Sequence, residues 1–472
     1  MYVTVADLQK ALGGWMLRGH PRDLLAGPKI YFLPDQQLLT WRLYNSLIKR
    51  KLICLVVPPD FYYRESMWSG TGISLIQVND TQLASRTAAA YLRQNLQIPV
   101  IQVIGSAGKT TTKAMIRATL RRLHPITTKG SQNDTDGVTS VLLRIGVKNG
   151  AAVIEVGMTE VGHMKLSSSL IRPDILVLTA IQSAHLVRLG SIAAITAAKA
   201  EAVEFVSPRG LIVINGEDHN CANFPVSGFP GKVMRYGFSD KYDVWASDIE
   251  EHNFQTSFIA HVGGQEIKCY LETFGRYNVG NALAAVCVGH YLGLGSRGIV
   301  DGLASFRPIR RRLRVCHGKD GIVYVDDNFN ANPESTSMLL DALPRTARRK
   351  RLILVLGDVE RPDEAIAEYA RTVHFAIGRQ VAHLAPAQLI AIGKWAREYI
   401  AGAAAAGYPL ERMVHFNTPQ DAREYYRSLL RVGDVVVFKA SVYVEVRRLM
   451  QQRRIAAHWR HPGGFWVIRH LF

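Results

Sequence analysis

A glycine-rich loop carrying a lysine and a threonine follows an apolar run near the start of the second hundred residues. The segment VIGSAGKTTTKAMI covers residues 103–116, and Gly105, Gly108, Lys109 and Thr110 give it the spacing G-x-x-G-K-T. This is shorter than the common phosphate-binding pattern G-x-x-x-x-G-K-[ST]. Backbone N–H groups in such a loop, together with the start of the following helix, bind phosphate. Lys109 is therefore predicted to contact the terminal phosphates of a nucleotide, and Thr110 to bind Mg²⁺.

Three more side chains could act beside this loop. Glu155 ends the run AAVIEVG, His185 follows the run DILVLTA, and Lys199 lies within ITAAKAEAVEF. A carboxylate at the carboxyl end of a parallel strand can reach a metal ion at that edge of the sheet. A salt bridge, a loop histidine and a solvated helix lysine are the structural alternatives, and for an isolated His or Lys they are the more common. The order and placement of all three behind the loop favour a functional site.

The elements that must position these residues form an α/β pattern. Apolar strands alternate with amphipathic helices from residue 97 onward, which predicts parallel sheets covered on both faces. The first block is predicted to contain strands 98–105, 151–157, 174–180 and 210–216, helices 109–123, 191–206 and 278–294, and a hairpin around Gly263–Gly264. After a linker at 304–315, the second block is predicted to contain strands 321–327, 352–357, 389–393 and 434–440, and helices from Pro333, at 363–376 and at 394–405.

Composition narrows the class of protein. The chain has 472 residues, enough for several domains, and a net charge of +18 that suggests anionic partners. No base-stacking or DNA-binding motif accompanies the basic clusters, so a nucleic-acid partner is not expected. The five cysteines are scattered and never spaced C-x-x-C, which is typical of reduced thiols. Neither a signal peptide nor a membrane-spanning run is recognisable, so we expect a cytoplasmic protein.

Taken together, the motifs resemble the Mur ligase family, and within it the MurF-type enzymes. The resembling stretches run in the family's order over roughly residues 80–445: VIGSAGKTTTK, IEVGM, RPDILVLTAIQSAHLVRLGS, AAKAE, FGRYNVGNALAA, RRL, VDDNFNANPES and VVVFKAS. The resemblance implies three domains with a central P-loop ATPase domain built on a parallel sheet. The expected boundaries are a substrate-binding domain at 1–95, an ATP-binding domain at 96–308, a Rossmann-like domain at 309–450 and a basic, aromatic tail at 451–472.

The same resemblance implies roles in the central domain. The family's short loop form accounts for the spacing noted above, and its ATP-binding residues match Gly105, Ser106, Ala107, Gly108, Lys109, Thr110 and Thr111. Two Mg²⁺ ions are expected, one held by Thr110 and Glu155 and a second near His185. Lys199 matches a lysine that many members carbamylate, which converts a cation into an anion that helps to hold metal. Asn278 and Asn281 match an asparagine pair near the adenine.

In the C-terminal domain, the resemblance assigns Arg312 and Asp327 to ATP once the domains close. Four further positions match the family's motifs there: Asn330, Asn332, Lys439 and Ser441. Lys109, His185, Lys199 and Arg312 are the residues expected to take part in catalysis.

The implied reaction is ATP-dependent amide formation. A substrate carboxylate attacks the γ-phosphate of ATP, giving an acyl phosphate and releasing ADP. An amine then attacks the acyl carbon and displaces phosphate. The nearest subfamily adds D-Ala-D-Ala to UDP-MurNAc-tripeptide in peptidoglycan precursor synthesis. The expected partners are thus ATP, an acidic acceptor that is UDP-linked in that subfamily, and an amino acid or dipeptide amine.

Several departures keep alternatives open. Tyr277 replaces a histidine, GDVERPDE and KASV replace two C-terminal motifs, and residues 1–95 lack the subfamily's D-S-R and F-D-G-H segments. A ligase acting on a different carboxylate is therefore the alternative substrate hypothesis. The alternatives from other classes are a non-catalytic nucleotide-binding scaffold and a basic nucleic-acid-binding ATPase. For the tail, packing on the C-terminal domain is favoured over peripheral contact with a membrane or an acidic partner.

Overall fold

The computed structural model describes most of the chain as two compact units. The described residues are 3–18, 24–25, 30–34, 39–183, 189–318, 320–347, 350–359 and 366–451. His185 and nearly all of the basic, aromatic tail lie outside them. The first unit comprises residues 1–249, 257–271 and 277–306, and the second comprises 250–256, 272–276 and 307–472. No helix in the described part of the chain is long and apolar enough to cross a membrane.

The N-terminal part of the first unit has its own sheet. Its strands are β1 (Val3–Thr4), β2 (Trp15–Arg18), β3 (Leu24–Leu25), β4 (Ile30–Phe32), β5 (Cys54–Val57) and β6 (Ser74–Gln77). Four of them pair in the order β2-β6-β5-β4, parallel except for β2, while β1 pairs with β3. The helices are Val5–Leu12, Trp41–Lys49, Glu65–Trp68 and Thr81–Gln94. The run CLVV of β5 is buried throughout, because an interior parallel strand is covered on both faces.

A nine-stranded sheet carries the nucleotide loop. Its strands are β7 (Val100–Ile104), β8 (Ile126–Thr127), β9 (Ala152–Glu155), β10 (Ile175–Leu178), β11 (Leu211–Asn215), β12 (Lys232–Gly237), β13 (Val244–His252), β14 (Gln255–Val262) and β15 (Gln265–Leu271). They pair in the order β15-β14-β13-β12-β11-β10-β7-β9-β8, with parallel pairing from β8 to β13. The four predicted strands and the hairpin around Gly263–Gly264 are confirmed. The edge strand β8 was not predicted, nor were β12 and β13, which extend the sheet toward that hairpin.

Helices cover both faces of this sheet, as the alternating pattern predicted. They are Lys109–Thr119, Thr135–Leu142, His163–Ile171, Ile192–Ala200, His219–Ala222, Arg276–Tyr291 and Ser296–Ala304, with 3₁₀ turns at Arg121–Leu123 and Val203–Phe205. Met115 and Ile116 pack in the core on one face, while Val138 and Met164 pack on the other. The predicted helix 191–206 is shorter than expected, since its last turn is the 3₁₀ turn.

The second unit contains a six-stranded sheet. Its strands are β16 (Arg314–His317), β17 (Val323–Asp327), β18 (Leu352–Gly357), β19 (Gln388–Ile392), β20 (Met413–Phe416) and β21 (Val435–Lys439), in the order β16-β17-β21-β18-β19-β20. Only β16 is antiparallel to its neighbour. The helices are Pro333–Thr346, Ala367–Leu384, Arg397–Ala405, Arg423–Leu429 and Arg447–Gln451, with a 3₁₀ turn at Leu410–Arg412. The four strands predicted for the second block are confirmed, whereas the predicted helix 363–376 is found at Ala367–Leu384. β16, β20 and the helix Arg423–Leu429 were not predicted.

Candidate nucleotide and metal site

The loop after β7 needs glycine at its first position. Gly105 has φ +146°, and a Cβ there would lie 2.0 Å from Oγ1 of Thr179. Thr179 follows β10, the parallel neighbour of β7, and its hydroxyl donates to the carbonyl of Ala107 at 2.5 Å. The absence of a side chain at residue 105 thus lets the loop close onto the end of the next strand.

The second glycine is constrained from another direction. Gly108 has φ +80° and is the N-cap of the helix Lys109–Thr119, where an added Cβ would lie 2.8 Å from Oδ1 of Asn281. That same oxygen accepts a hydrogen bond from the hydroxyl of Thr112 at 3.0 Å. Asn281 therefore fixes the first turn of the helix behind the loop.

Backbone and serine contacts hold the rest of the loop. Ser106 donates its N–H to the carbonyl of Ala180 at 2.7 Å, and its Oγ accepts the N–H of Gln182 at 3.0 Å. Lys109 Nζ donates to the carbonyl of Gly105 at 2.7 Å, so the ammonium lies over the loop itself. A loop shaped in this way presents its cation and N–H groups where a phosphate chain would bind.

The predicted metal ligands Thr110 and Glu155 are in direct contact. The hydroxyl of Thr110 donates to Oε1 of Glu155 at 3.0 Å, and Asn133 Nδ2 donates to the same oxygen at 2.9 Å. Lys113 Nζ lies 2.9 Å from Oε2, and the Glu155 side chain is only 2% exposed. Burial by itself would raise the pKa of Glu155. The cations Lys113 and Lys109 and the hydrogen bonds outweigh burial and hold that pKa below its ordinary value.

This donor set suits Mg²⁺. An ionised carboxylate and a threonine hydroxyl are hard oxygen ligands, and Mg²⁺ in nucleotide sites takes few protein ligands and completes its shell with phosphate and water. Thr110 starts the helix behind the loop and Glu155 ends β9, so the two oxygens meet at the carboxyl edge of the sheet, beside the phosphate loop. The residues present therefore fit the ion that the sequence predicted.

Lys199 is buried on the helix Ile192–Ala200, with 2% of its surface exposed. Burial is the main reason that its pKa is lowered to about 7, and the nearby Lys109 cation lowers it further. A large part of Lys199 is therefore neutral near neutral pH, which is the form of an amine that can react with CO₂. His185, the other predicted residue of this group, lies outside the described residues, so its role stays a prediction.

The asparagine pair lies beneath the loop. Asn278 and Asn281 are both buried on the helix Arg276–Tyr291, and Nδ2 of Asn281 donates to Oδ1 of Asn278 at 3.1 Å. Because Oδ1 of Asn281 also accepts the hydroxyl of Thr112, the pair supports the first turn of the helix behind the loop. The adenine contact that the resemblance implied for them stays a prediction.

In the second unit, three of the predicted residues form a cluster at the carboxyl ends of β17 and β21. Lys439 Nζ donates to Oδ2 of Asp327 at 2.7 Å and to the carbonyl of Asn330 at 3.1 Å, and only 3% of the Lys439 side chain is exposed. The Arg312 guanidinium lies over the Phe329 ring, 4.3 Å from its centroid.

Asn332 and Ser441 have local roles in the same unit. Asn332 is the N-cap of the helix Pro333–Thr346, and its Oδ1 accepts the N–H of Ser335 at 2.8 Å. Ser441 donates its N–H to the carbonyl of Asp358 at 3.0 Å. The roles that the resemblance gave to Arg312 and Asp327 toward ATP stay predictions.

Two residues of the candidate metal site were not predicted from the sequence. Lys113 lies one helical turn after Lys109, and Asn133 lies in the turn between β8 and the helix Thr135–Leu142. Lys113 lies within the loop segment 103–116, and its i+4 spacing from Lys109 is the one signal in the sequence. Asn133 reaches Glu155 only because β8 and β9 are adjacent, which no local pattern indicates.

Comparisons with known proteins identify two family domains in the chain. Residues 103–289 match the Mur ligase middle domain, and residues 311–442 match the glutamate ligase domain of the Mur ligases. The UDP-N-acetylmuramoyl-tripeptide–D-alanyl-D-alanine ligase of Bacillus subtilis (strain 168) is 28% identical over 381 residues, which cover 80% of each chain. The enzyme of the same name from Escherichia coli (strain K12) is 28% identical over 319 residues, 67% of this chain and 69% of its own.

Solved structures extend the similarity over almost the whole chain. A crystal structure of MurF from Acinetobacter baumannii aligns with a TM-score of 0.78 and 25% identity, covering 96% of this chain and 98% of that one. The MurF ligase from Thermotoga maritima in complex with ADP aligns with a TM-score of 0.73 over 90% of this chain and 97% of its own, and at 19% identity it supports the fold alone. The fold is thus the three-domain Mur ligase fold. With both characteristic domains matched around the loop, the carboxylate and the buried lysine, the chain belongs to the Mur ligase family and is similar to its MurF-type members.

Proposed function

We propose that this ligase uses ATP to join a carboxylate to an amine, releasing ADP, and that it adds D-Ala-D-Ala to UDP-MurNAc-tripeptide. The observation that carries the proposal is the meeting of Thr110 and Glu155 beside the Gly105–Gly108 loop, 3.0 Å apart. That arrangement is suited to a metal-bound nucleoside triphosphate. The named substrates are those of the Bacillus subtilis and Escherichia coli relatives.

Each group of residues in the site has its own role in the proposed reaction. Loop N–H groups and Lys109 bind the phosphates and reduce the repulsion between the triphosphate and an approaching carboxylate. Thr110 and Glu155 would hold Mg²⁺, which would supply further charge neutralisation. We propose a second ion near His185 and a carbamylated Lys199, because a carbamate would give this buried position the negative charge that a cation requires. Arg312 and Asp327 are proposed to reach the nucleotide when the domains close, which would exclude water from the acyl phosphate.

The organisation and location of the protein follow from the same proposal. We retain the division into residues 1–95, 96–308, 309–450 and the tail 451–472 as the domain hypothesis. The acceptor is proposed to bind the first of these domains and the amine the third. Because the substrates are ATP and a nucleotide-linked precursor, we propose that the enzyme acts in the cytoplasm.

A different carboxylate acceptor is the second candidate, and the N-terminal domain favours it. The segment VPPDFYYRESMWSG lies where the subfamily's acceptor-binding motifs are missing. In it, Tyr62 is 72% exposed, and the Arg64 guanidinium lies 5.2 Å from the centroid of its ring. An exposed aromatic ring beside a cation would contact an acceptor differently from the D-S-R and F-D-G-H segments, which this chain lacks.

A ligation assay tests both candidates. The full chain is incubated with ATP, Mg²⁺, bicarbonate, UDP-MurNAc-tripeptide and D-Ala-D-Ala, and the product and ADP are measured by mass spectrometry. We expect condensed product that disappears in Lys109→Ala. If protein that binds ATP yields no product, the acceptor proposal is wrong and other UDP-linked or free acids should be tried.

The two alternatives outside ligase chemistry make separate predictions. A nucleotide-binding scaffold would keep its cellular role in the Lys109→Ala variant. A basic nucleic-acid-binding ATPase would bind DNA or RNA at low salt and lose that affinity steeply as salt is added.

A further inference from the structure

Lys113 is a buried lysine that the proposed reaction does not use. It lies on the helix Lys109–Thr119, one turn beyond the phosphate-binding lysine, and 6% of its side chain is exposed. Its ammonium lies 2.9 Å from Oε2 of Glu155 and donates to the carbonyl of Gly130 at 2.7 Å. It also contacts the carbonyl and the hydroxyl of Thr128, at 3.2 and 3.3 Å. A single cation therefore joins the metal-binding carboxylate to the segment 128–130.

The same segment returns to Glu155 through two other contacts. The hydroxyl of Thr128 accepts the backbone N–H of Glu155 at 3.1 Å. Asn133, a few residues further on, donates to Oε1 of Glu155 at 2.9 Å. Lys113 is thus the centre of a buried network that fixes the backbone of Glu155, one of its oxygens and the turn that carries Asn133. Networks of this kind orient the ligands of a metal ion.

We propose that Lys113 is a positioning residue for the metal ion of this site. By holding Oε2 of Glu155, it leaves Oε1, the oxygen that contacts Thr110, as the oxygen that Glu155 offers to the metal. The inference rests on the proposed metal–nucleotide function and adds to it the residue that sets how Glu155 binds.

The sign of the effect separates positioning from simple electrostatics. A lysine beside a metal site repels a divalent cation, so a lysine that acted only through its charge would weaken metal binding, and its removal would tighten it. A lysine that orients the carboxylate acts in the opposite direction, and its removal loosens binding. Loss of such an orienting partner typically weakens metal affinity by about 10- to 100-fold.

The test measures Mn²⁺, as a probe for Mg²⁺, bound by the full chain in the presence of saturating ADP. Free Mn²⁺ is followed by electron paramagnetic resonance, and metal-free ADP binding is measured by calorimetry. We expect Lys113→Met to raise the Kd for Mn²⁺ by roughly tenfold or more, with metal-free ADP binding unchanged because Gly105, Gly108 and Lys109 are intact. The matched control is Lys129→Met, which removes the same charge from an exposed position in the same segment and should leave both Kd values unchanged.

Each outcome decides the question. Unchanged or tighter Mn²⁺ binding in Lys113→Met overturns the positioning role while the proposed function stands. Wild-type protein that binds no Mn²⁺ with ADP overturns the proposed function and this inference together. If Lys113→Met does not fold, Lys113→Gln is the second variant, because its shorter neutral side chain removes the ammonium that lies 2.9 Å from Oε2 of Glu155. Weaker Mn²⁺ binding in that variant supports the proposal, and unchanged binding refutes it.

Discussion

Replacing Lys199 with methionine should stabilise the protein while abolishing its activity. The lysine is 2% exposed and its pKa is lowered from 10.5 to about 7, mainly by burial. Between those two pH values the unfolded chain binds a proton that the folded chain has lost, so wild-type stability rises with pH across this window. Methionine has a similar length and no charge to bury, so the variant should lack this dependence.

The size of the effect follows from the pKa difference. At pH 7.5, three units below the unfolded pKa and at about 1.4 kcal/mol per unit, burying Lys199 costs about 4 kcal/mol. At pH 9.5 the same calculation gives about 1 kcal/mol. The stability advantage of Lys199→Met over wild type should therefore shrink by about 3 kcal/mol between these two conditions.

Equilibrium unfolding by urea in CO₂-free buffer measures this difference, because carbonate would convert Lys199 to a different charge state. Lys148→Met is the control, since Lys148 is exposed and should give the same difference from wild type at both pH values. A Lys199→Met advantage that is the same at pH 7.5 and 9.5 would refute the argument, for it would show that Lys199 is not a buried amine with a lowered pKa.

Three further predictions follow from the contacts. With its pKa near 7, Lys199 is mostly neutral at pH 7.5, so removal of CO₂ should lower ligase activity and bicarbonate should restore it. Labelled bicarbonate should give a ¹³C-carbamate signal that is missing in Lys199→Met. Activity that does not depend on CO₂ would contradict carbamylation. Gly108→Ala places a side chain at φ +80° and 2.8 Å from Oδ1 of Asn281. ADP binding measured by calorimetry should weaken at least tenfold, roughly the effect of 1–2 kcal/mol of left-handed strain. Binding with the wild-type affinity would show that the loop adapts. Asp327→Asn leaves the Lys439 ammonium, on a side chain that is 3% exposed, without its carboxylate partner. The free energy of unfolding measured in urea should therefore fall by about 3–5 kcal/mol. The double variant Asp327→Asn/Lys439→Met should recover most of that loss, and no recovery would mean that Asp327 stabilises the unit through other contacts.

Local patterns were sufficient for much of the fold. Apolar runs bounded by turn residues predicted β7, β9, β10 and β11, because interior parallel strands are buried on both faces and leave continuous apolar sequence. The strands β12 and β13 were missed because neither is a continuous buried run: in β13 only Val244 and Ala246 are buried, and β12 begins with exposed and half-buried residues. A strand with few buried residues leaves no continuous apolar run in the sequence, so its signal is weaker.

The sequence by itself determined the chemistry of the loop and the order of its partners. Gly105, Gly108, Lys109 and Thr110 lie within six residues, so their relation is set by chain geometry alone. Tertiary structure decided which groups act on Glu155. Asn133 and the Thr128 hydroxyl reach it because β8 pairs with β9, and Thr110 and Lys113 reach it because their helix packs beside the end of that strand. It also decided the state of Lys199, since a helix lysine is charged in water and loses a large part of its charge near pH 7 only when the surrounding core removes its solvent.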